Sequence, residues 1–293
     1  KKVFLTTSPE TSIKKLLVTG LGDCFEITKS FRNTESDSHL HNPEFTILEW
    51  YRVGATYIDI MVDCEKLIQH VFDKVNSHKI PRHKDTNTQR GKKKIKYQGN
   101  TIDLNSPWER ISVVKALHKY ANVPFDQITN LPNSSNSANN LFPASEIAKV
   151  ARKKGYNIDR KNTWEEIFNQ IYLNEIEPHL GTLGKPTIIY DYPAPMSALA
   201  KLKKTDNRLA ERFEFYIAGL ELGDCYTELT DYTQQKKRFE KEMLLRVKLG
   251  KIKVKPDKDF LLALKTGLPD CAGIAVGIAR LVMLFTDSKS ISE

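Results

Sequence analysis

With 293 residues, 40% of them hydrophobic, the chain has apolar material for a full core, as one large domain or two small ones. Lys and Arg outnumber Asp and Glu by 45 to 36, a formal net charge of +9 that points to a polyanionic partner such as nucleic acid, a nucleotide or an acidic protein. No apolar run is long enough to span a bilayer, and Cys24, Cys64, Cys225 and Cys271 lie far apart without C-x-x-C spacing. That excludes a membrane span, a disulfide framework and a zinc site, and leads us to expect reduced thiols in a cytoplasmic protein.

The chain opens at Lys1 without Met, in the middle of what reads as a strand, and stops at Glu293 soon after an apolar helix, so both ends are expected to be cut short. Glu10 to Val18 carries Ile13, Leu16 and Leu17 at helical spacing, with Thr7 or Ser8 as cap and Pro9 at the first helical position. Cys24 to Ser30 and Phe45 to Arg52 read as strands flanking a polar loop. Asp59 to Val75 reads as a long amphipathic helix with Met61, Cys64, Leu67, Ile68, Val71 and Phe72 on one face. The pattern then breaks into a basic insert at about 77–106, where Lys79 to Lys96 holds eight Lys or Arg against one Asp. A solvated loop or hairpin is the preferred reading there, ahead of a nucleic-acid patch. Residues 107–185 read as helical, with a Ser/Asn-rich connection at 130–140.

Thr187 to Tyr192 is a strand by its β-branched content, followed by strands at Phe213 to Ile217, Leu220 to Leu222 and Tyr226 to Leu229. Helices are predicted at Gln234 to Leu249 and at Asp257 to Lys265, the second ending at Gly267. Gly273 to Leu281 reads as strand, Gly, then the first turn of an apolar helix. Strands mixed with helices, without regular β-α-β alternation, predict an α+β fold: an antiparallel β-sheet flanked by helices in one domain over 1–293.

Two arginines stand out. Arg32 lies in Ser30-Phe31-Arg32-Asn33, ahead of His41-Asn42-Pro43-Glu44-Phe45-Thr46 and Leu48-Glu49-Trp50-Tyr51. Arg280 opens the last helix, in Gly277-Ile278-Ala279-Arg280-Leu281. A guanidinium stays charged and binds phosphate oxygens bidentately. A second constellation runs Arg212-Phe213-Glu214-Phe215-Tyr216, then Glu221, Asp224 and Glu228. Four carboxylates in fifteen strand-like residues are costly to bury unless a cation neutralises them. Mg²⁺ on a nucleotide phosphate, or an amino-acid ammonium, would do so.

This pairing resembles motifs 2 and 3 of the class II aminoacyl-tRNA synthetases, over residues 3–75 and 186–288. The resemblance implies the class II catalytic core, usually a homodimer, with ATP and Mg²⁺. Arg32 and Arg280 would be the catalytic phosphate-binding arginines, helped by His41 and Asn42, with Phe45 stacking on adenine. The family's Glu two residues after the first arginine is Thr34 here, so Glu35 is expected to take its place. His39 stands nearest the family's second loop arginine, and Ala279 replaces an Asp that supports the second motif's arginine.

Phe31-Arg32-Asn33, Leu48-Glu49-Trp50-Tyr51 and Glu228-Leu229-Thr230-Asp231 narrow the resemblance to the lysine branch. By it, Glu214 and Glu221 would bind Mg²⁺, with Glu221 also on the ATP side. Glu49, Tyr51 and Glu228 would hold the substrate lysine, joined by Ser8, Glu10, Asp224 and Ala275. Asp224 stands where the branch has Asn and is expected to add a charge facing the ammonium. The branch contains the lysyl-tRNA synthetases and the ligases that acylate a lysine of elongation factor P, which favour β-lysine. Thr7-Ser8-Pro9-Glu10, Trp50, Pro269-Asp270-Cys271 and Ala275 resemble the second group. That implies activation of lysine or β-lysine as an adenylate and transfer to elongation factor P, an acidic partner suited to the +9 charge. Charging of tRNA is the alternative, and a non-catalytic synthetase-like binding protein is a third reading.

Overall fold

A computed structural model describes residues 4–32, 38–77, 93–131, 141–248, 250 and 256–292. Thr34, Glu35 and most of the basic insert (78–92) lie outside the described residues.

The α+β expectation is borne out. In chain order the elements are α1 (Glu10–Leu17), β1 (Cys24–Phe31), β2 (Glu44–Val53), α2 (Tyr57–Ser77), β3 (Lys94–Tyr97), β4 (Asn100–Asp103), β5 (Glu109–Ser112), α3 (Val113–Ala121), α4 (Ala144–Lys153), α5 (Trp164–Ile171), β6 (Thr187–Pro193), β7 (Leu209–Ile217), β8 (Leu220–Thr227), α6 (Tyr232–Lys248), α7 (Lys258–Gly267), β9 (Cys271–Gly277) and α8 (Ile278–Thr286). One seven-stranded sheet runs β1-β2-β9-β8-β7-β6-β5, antiparallel throughout except for the parallel β5/β6 pair at its edge.

Several expectations need correction. Glu109–Ser112 was expected to be helical and is instead a strand. Four residues carry no period of their own, and it is the exposed edge of β6 that recruits them. The two short strands expected at 220–222 and 226–229 are one, β8. Gly223 and Asp224 sit inside it, paired with Phe215 and Glu214 on one side and with Val276 and Ala275 on the other, where a Cβ at 223 would lie 2.8 Å from the Ala275 carbonyl oxygen. Pro9 is the N-cap of α1 rather than its first residue, and its neighbour Ser8 accepts the Glu10 N–H at 3.2 Å. Within the basic insert, β3 and β4 form a hairpin. Its turn places Gln98 (φ 48°) and Gly99 (φ 82°) both in the left-handed region, as the twist of a two-residue hairpin demands.

The two faces of the sheet are packed differently. Phe213, Phe215, Cys225, Ile274 and Val276 point to one face and meet Ile60, Met61, Cys64 and Ile68 of α2. Each fully buried aromatic or aliphatic side chain there contributes roughly 1.5–3 kcal/mol. On the other face, the helices between β5 and β6 cover only one end, where Trp164, Phe168 and Ile171 pack with Ile189, Tyr192 and Tyr216. A third cluster joins α1 and α7 through Ile13, Leu17, Phe260 and Leu264, with Tyr51 and Cys271 of the sheet. Between these covers, the face over β2, β9 and β8 stays open.

Gly181 ties the helical cover to the sheet. Its φ is +68°, and an added Cβ would lie 2.7 Å from the Tyr216 carbonyl oxygen. Gly181→Ala should cost about 1–3 kcal/mol, lowering the melting temperature by about 2–4 °C per kcal/mol. Differential scanning calorimetry checks this; an unchanged Tm would count against the close approach of this turn to β7.

Candidate active site

The open face is built from rows across the strands. Glu49 of β2 faces Ala275 of β9, which faces Asp224 of β8, which faces Glu214 of β7. The next row is Tyr51, Gly273, Tyr226 and Arg212. Gly273 is required: a Cβ there would lie 2.1 Å from Tyr51 Cε1, so only a missing side chain lets the phenol ring cross the strand. Leu222 is an extra residue opposite the Phe215–Tyr216 step. This bulge resets the alternation, so that Glu221 faces the same side as Asp224 although they are three residues apart. The result is a cleft of about 240 Å³ lined along its length by residues drawn from both sets, Arg32 and Arg280 from one and Glu221 and Asp224 from the other.

At one end stand Ser8, Glu10, Glu49, Tyr51, Asp224, Tyr226 and Ala275. Tyr51 donates its hydroxyl to Glu49 Oε2 at 3.3 Å. Burial, and then the nearby Glu10, push the Glu49 carboxyl up to about 8. Glu228 lies just behind this wall and is 1% exposed. Burial pushes it to about 8 as well, against the pull of Lys14. The Lys14 ammonium is 2.5 Å from Glu228 Oε2 and 2.5 Å from Glu10 Oε1. The Glu228 contact is an ion pair without hydrogen-bond alignment, and Glu228 Oε1 has no hydrogen-bond partner among the described residues. Three carboxylates around one lysine make this end a receptor for a cation.

Asp224 does not add the free charge expected of it. Its oxygens accept from Arg212 Nε at 2.9 Å, Arg212 Nη2 at 3.1 Å and the Tyr226 hydroxyl at 2.7 Å, so its charge is balanced internally.

At the other end stand Arg32, His41, Asn42, Phe45, Glu221 and Arg280. The Arg32 guanidinium lies 5.2 Å above the Phe45 ring, a cation–π contact. Arg280, on the first turn of α8, donates to the Glu221 carbonyl oxygen at 2.9 Å and to His41 Nε2 at 2.8 Å. That bond makes Nε2 an acceptor, hence a neutral imidazole. These partners hold the guanidinium where the family's Asp is replaced by Ala279.

Of the two residues expected to hold a metal, only Glu221 faces the cleft. Glu221 faces the cleft with its carboxylate 3.6 Å from Arg280 Nη1 and fits a Mg²⁺ ion held mainly by substrate phosphates. Glu214 does not fit. Its Oε1 accepts from Arg212 Nη2 at 2.7 Å, and its Oε2 from the Tyr192 and Tyr216 hydroxyls at 2.7 and 2.8 Å. It does not line the cleft, and burial raises its carboxyl to about 7 despite Arg212. Among the described residues, no three His, Cys, Asp or Glu side chains are grouped as a metal site.

Sequence reasoning missed Lys14 as part of the site, and with it Tyr192 and Tyr216. Lys14 had a signal: it lies beside Ile13 and four residues after Glu10, on the face of α1 that must be buried. The tyrosines had none.

No helix among the described residues is long and apolar enough to cross a membrane. Residues 1–293 match the family model for class II tRNA synthetases (D, K and N). The chain is 37% identical over 292 residues to the lysine--tRNA ligase of Carboxydothermus hydrogenoformans, covering 100% of this chain and 54% of that one. It is 36% identical over 291 residues to the same-named protein of Pelotomaculum thermopropionicum (99% and 52% covered) and 35% over 291 residues to that of Moorella thermoacetica (99% and 53%). The chain thus spans about half the length of the curated relatives it matches. With that match over its whole length, and with both arginine motifs brought to one cleft, the chain belongs to the class II tRNA synthetases of the D, K and N group.

Proposed function

We propose that this chain activates lysine with ATP as an aminoacyl-adenylate and passes the acyl group to tRNA. The observation that carries the reading is the polarity of the cleft: two guanidinium groups at one end and a carboxylate cluster at the other, along one strip of sheet. Arg32 and Arg280 suit the phosphates of ATP, Phe45 its base, and Glu49 the substrate's ammonium. The lysine carboxylate would attack the α-phosphorus and pyrophosphate would leave. Mg²⁺, when bound at Glu221, supplies charge neutralisation of the phosphates. The chain's residues hold and orient, and none forms a covalent intermediate. The relatives carry the name lysine--tRNA ligase, which favours tRNA as acceptor over the elongation factor P expected from the sequence.

Ala275 keeps the second reading, acylation of elongation factor P with β-lysine. It stands in register with Glu49, where the synthetases of the branch carry Gly, and its methyl group narrows the amine end. Incubating the enzyme with ATP and labelled lysine, beside tRNA or beside elongation factor P, separates the acceptors. The tRNA should become labelled; a mass shift on elongation factor P without tRNA charging would reverse the order. In the second case Ala275→Gly should raise use of α-lysine by roughly ten- to two-hundredfold.

Arg280→Ala should lower lysine-dependent ATP–pyrophosphate exchange by roughly 10²–10³-fold, the usual loss when a preorganised charged donor is removed. Exchange at the wild-type rate would contradict the phosphate assignment.

Lysine affinity should depend on pH with a definite sign. The empty pocket keeps the carboxyls of Glu49 and Glu228 partly protonated up to about 8. An entering ammonium favours their charged forms, so binding expels protons. Affinity should therefore rise with pH between 6 and 8, by no more than about tenfold per unit for each proton released, then level off. Calorimetry in buffers of different ionisation enthalpy counts the protons, and Glu49→Gln should flatten the rise.

A further inference from the structure

Lys14 is 2% exposed, absent from the cleft wall, and has no part in the chemistry above. A lysine is almost never buried this deeply unless it is paired. Its ammonium touches Glu10 and Glu228, with the Phe260 ring 5.9 Å away. Glu49 and Tyr51 approach from β2 and Cys271 from β9, so that among the described residues the other titratable groups around it are acids. Glu49 has no ion-pair partner among the described residues, whereas Glu10 and Glu228 share Lys14.

We propose that Lys14 is a positioning residue for amine recognition, a built-in ammonium that holds Glu10 and Glu228 in place so that Glu49 is the carboxylate left for the substrate's ammonium. The inference rests on the lysine-activation reading. It makes Lys14 the setting for the pH at which the pocket opens to an amine. Without its positive charge, Glu49 and Glu228 would hold their protons to higher pH, and an ammonium would have to displace more of them.

The test compares Lys14→Gln, which keeps the length and a donor but removes the charge, with Lys14→Arg, which keeps the charge. Calorimetry on the full chain follows lysine and ATP separately from pH 6 to 9, and melting temperatures are recorded over the same range. Lys14→Gln should bind lysine about 10–100-fold more weakly at pH 7 with ATP affinity unchanged, and its rising limb should move up by about one pH unit. Lys14→Arg should keep the wild-type limb. Wild-type lysine affinity and pH dependence in Lys14→Gln would overturn the proposal, as would equal losses in both variants at every pH. A Lys14→Gln chain that folds at pH 5.5 but not at pH 7.5 would support it, since the carboxyls then need protons in place of the ammonium. If the wild-type protein binds no lysine at any pH, the functional reading fails. The melting data still decide the charge role: the gap between Lys14→Gln and wild type should widen as pH rises, and a constant gap would refute it.

Discussion

Two buried cations make the open face of this sheet possible. Arg212 bridges Glu214 and Asp224, and Lys14 bridges Glu10 and Glu228. A lone buried carboxylate costs several kcal/mol even after relaxation, and breaking a buried pair by removing one partner typically costs about 3–5 kcal/mol. Here each cation serves two carboxylates, so losing either would strand two. Arg212 is further locked by the Met196 carbonyl and by the Tyr192 ring at 4.4 Å. The packing of the acidic groups in and behind the cleft wall follows from these two assignments.

The geometry around them is rigid because it is carried by strands rather than loops. β9 runs directly into α8, so the Ala275 methyl beside Glu49 and the Arg280 guanidinium beside Glu221 are joined by four residues of regular backbone. The loop after Arg32 is tied back at several points. The Arg32 N–H donates to the Pro43 carbonyl at 2.8 Å, Arg280 holds His41, and the Ile291 N–H reaches the His39 carbonyl at 2.9 Å. The arginine end of the cleft thus draws on three separate stretches of chain, and the carboxylate end on α1 and three strands. This is how a face with few residues per strand gathers so many charged groups.

Burial also shows why the acidic groups differ although they are chemically alike. Glu221 is partly open and free to meet a ligand, while Glu214, on the neighbouring strand, is enclosed by Arg212 and tyrosine hydroxyls. The spacing of seven residues between them suits two ligands to one ion on paper. The bulge at Leu222 and the tyrosines contributed by β6 and β7 send one to the cleft and the other into the wall.

Much of this was legible in the sequence. The 3.6-residue period of α2 identified its buried face, the strands flanking the 32–44 loop were found within a residue or two, and the two arginine motifs identified the family and the cleft. Those signals are local, because periodicity records which side of its own element a residue faces and a motif records spacing along one chain. Tertiary structure decided the rest. It made Glu109–Ser112 a strand by offering the edge of β6, kept Gly223 and Asp224 within one strand by pairing on both sides, and turned Glu214 away from the cleft. It placed the ammonium of Lys14 between Glu10 and Glu228. The reason is the same in each case: a buried charge or an unpaired backbone group is satisfied by whatever the facing element brings, and that partner lies far away in the chain.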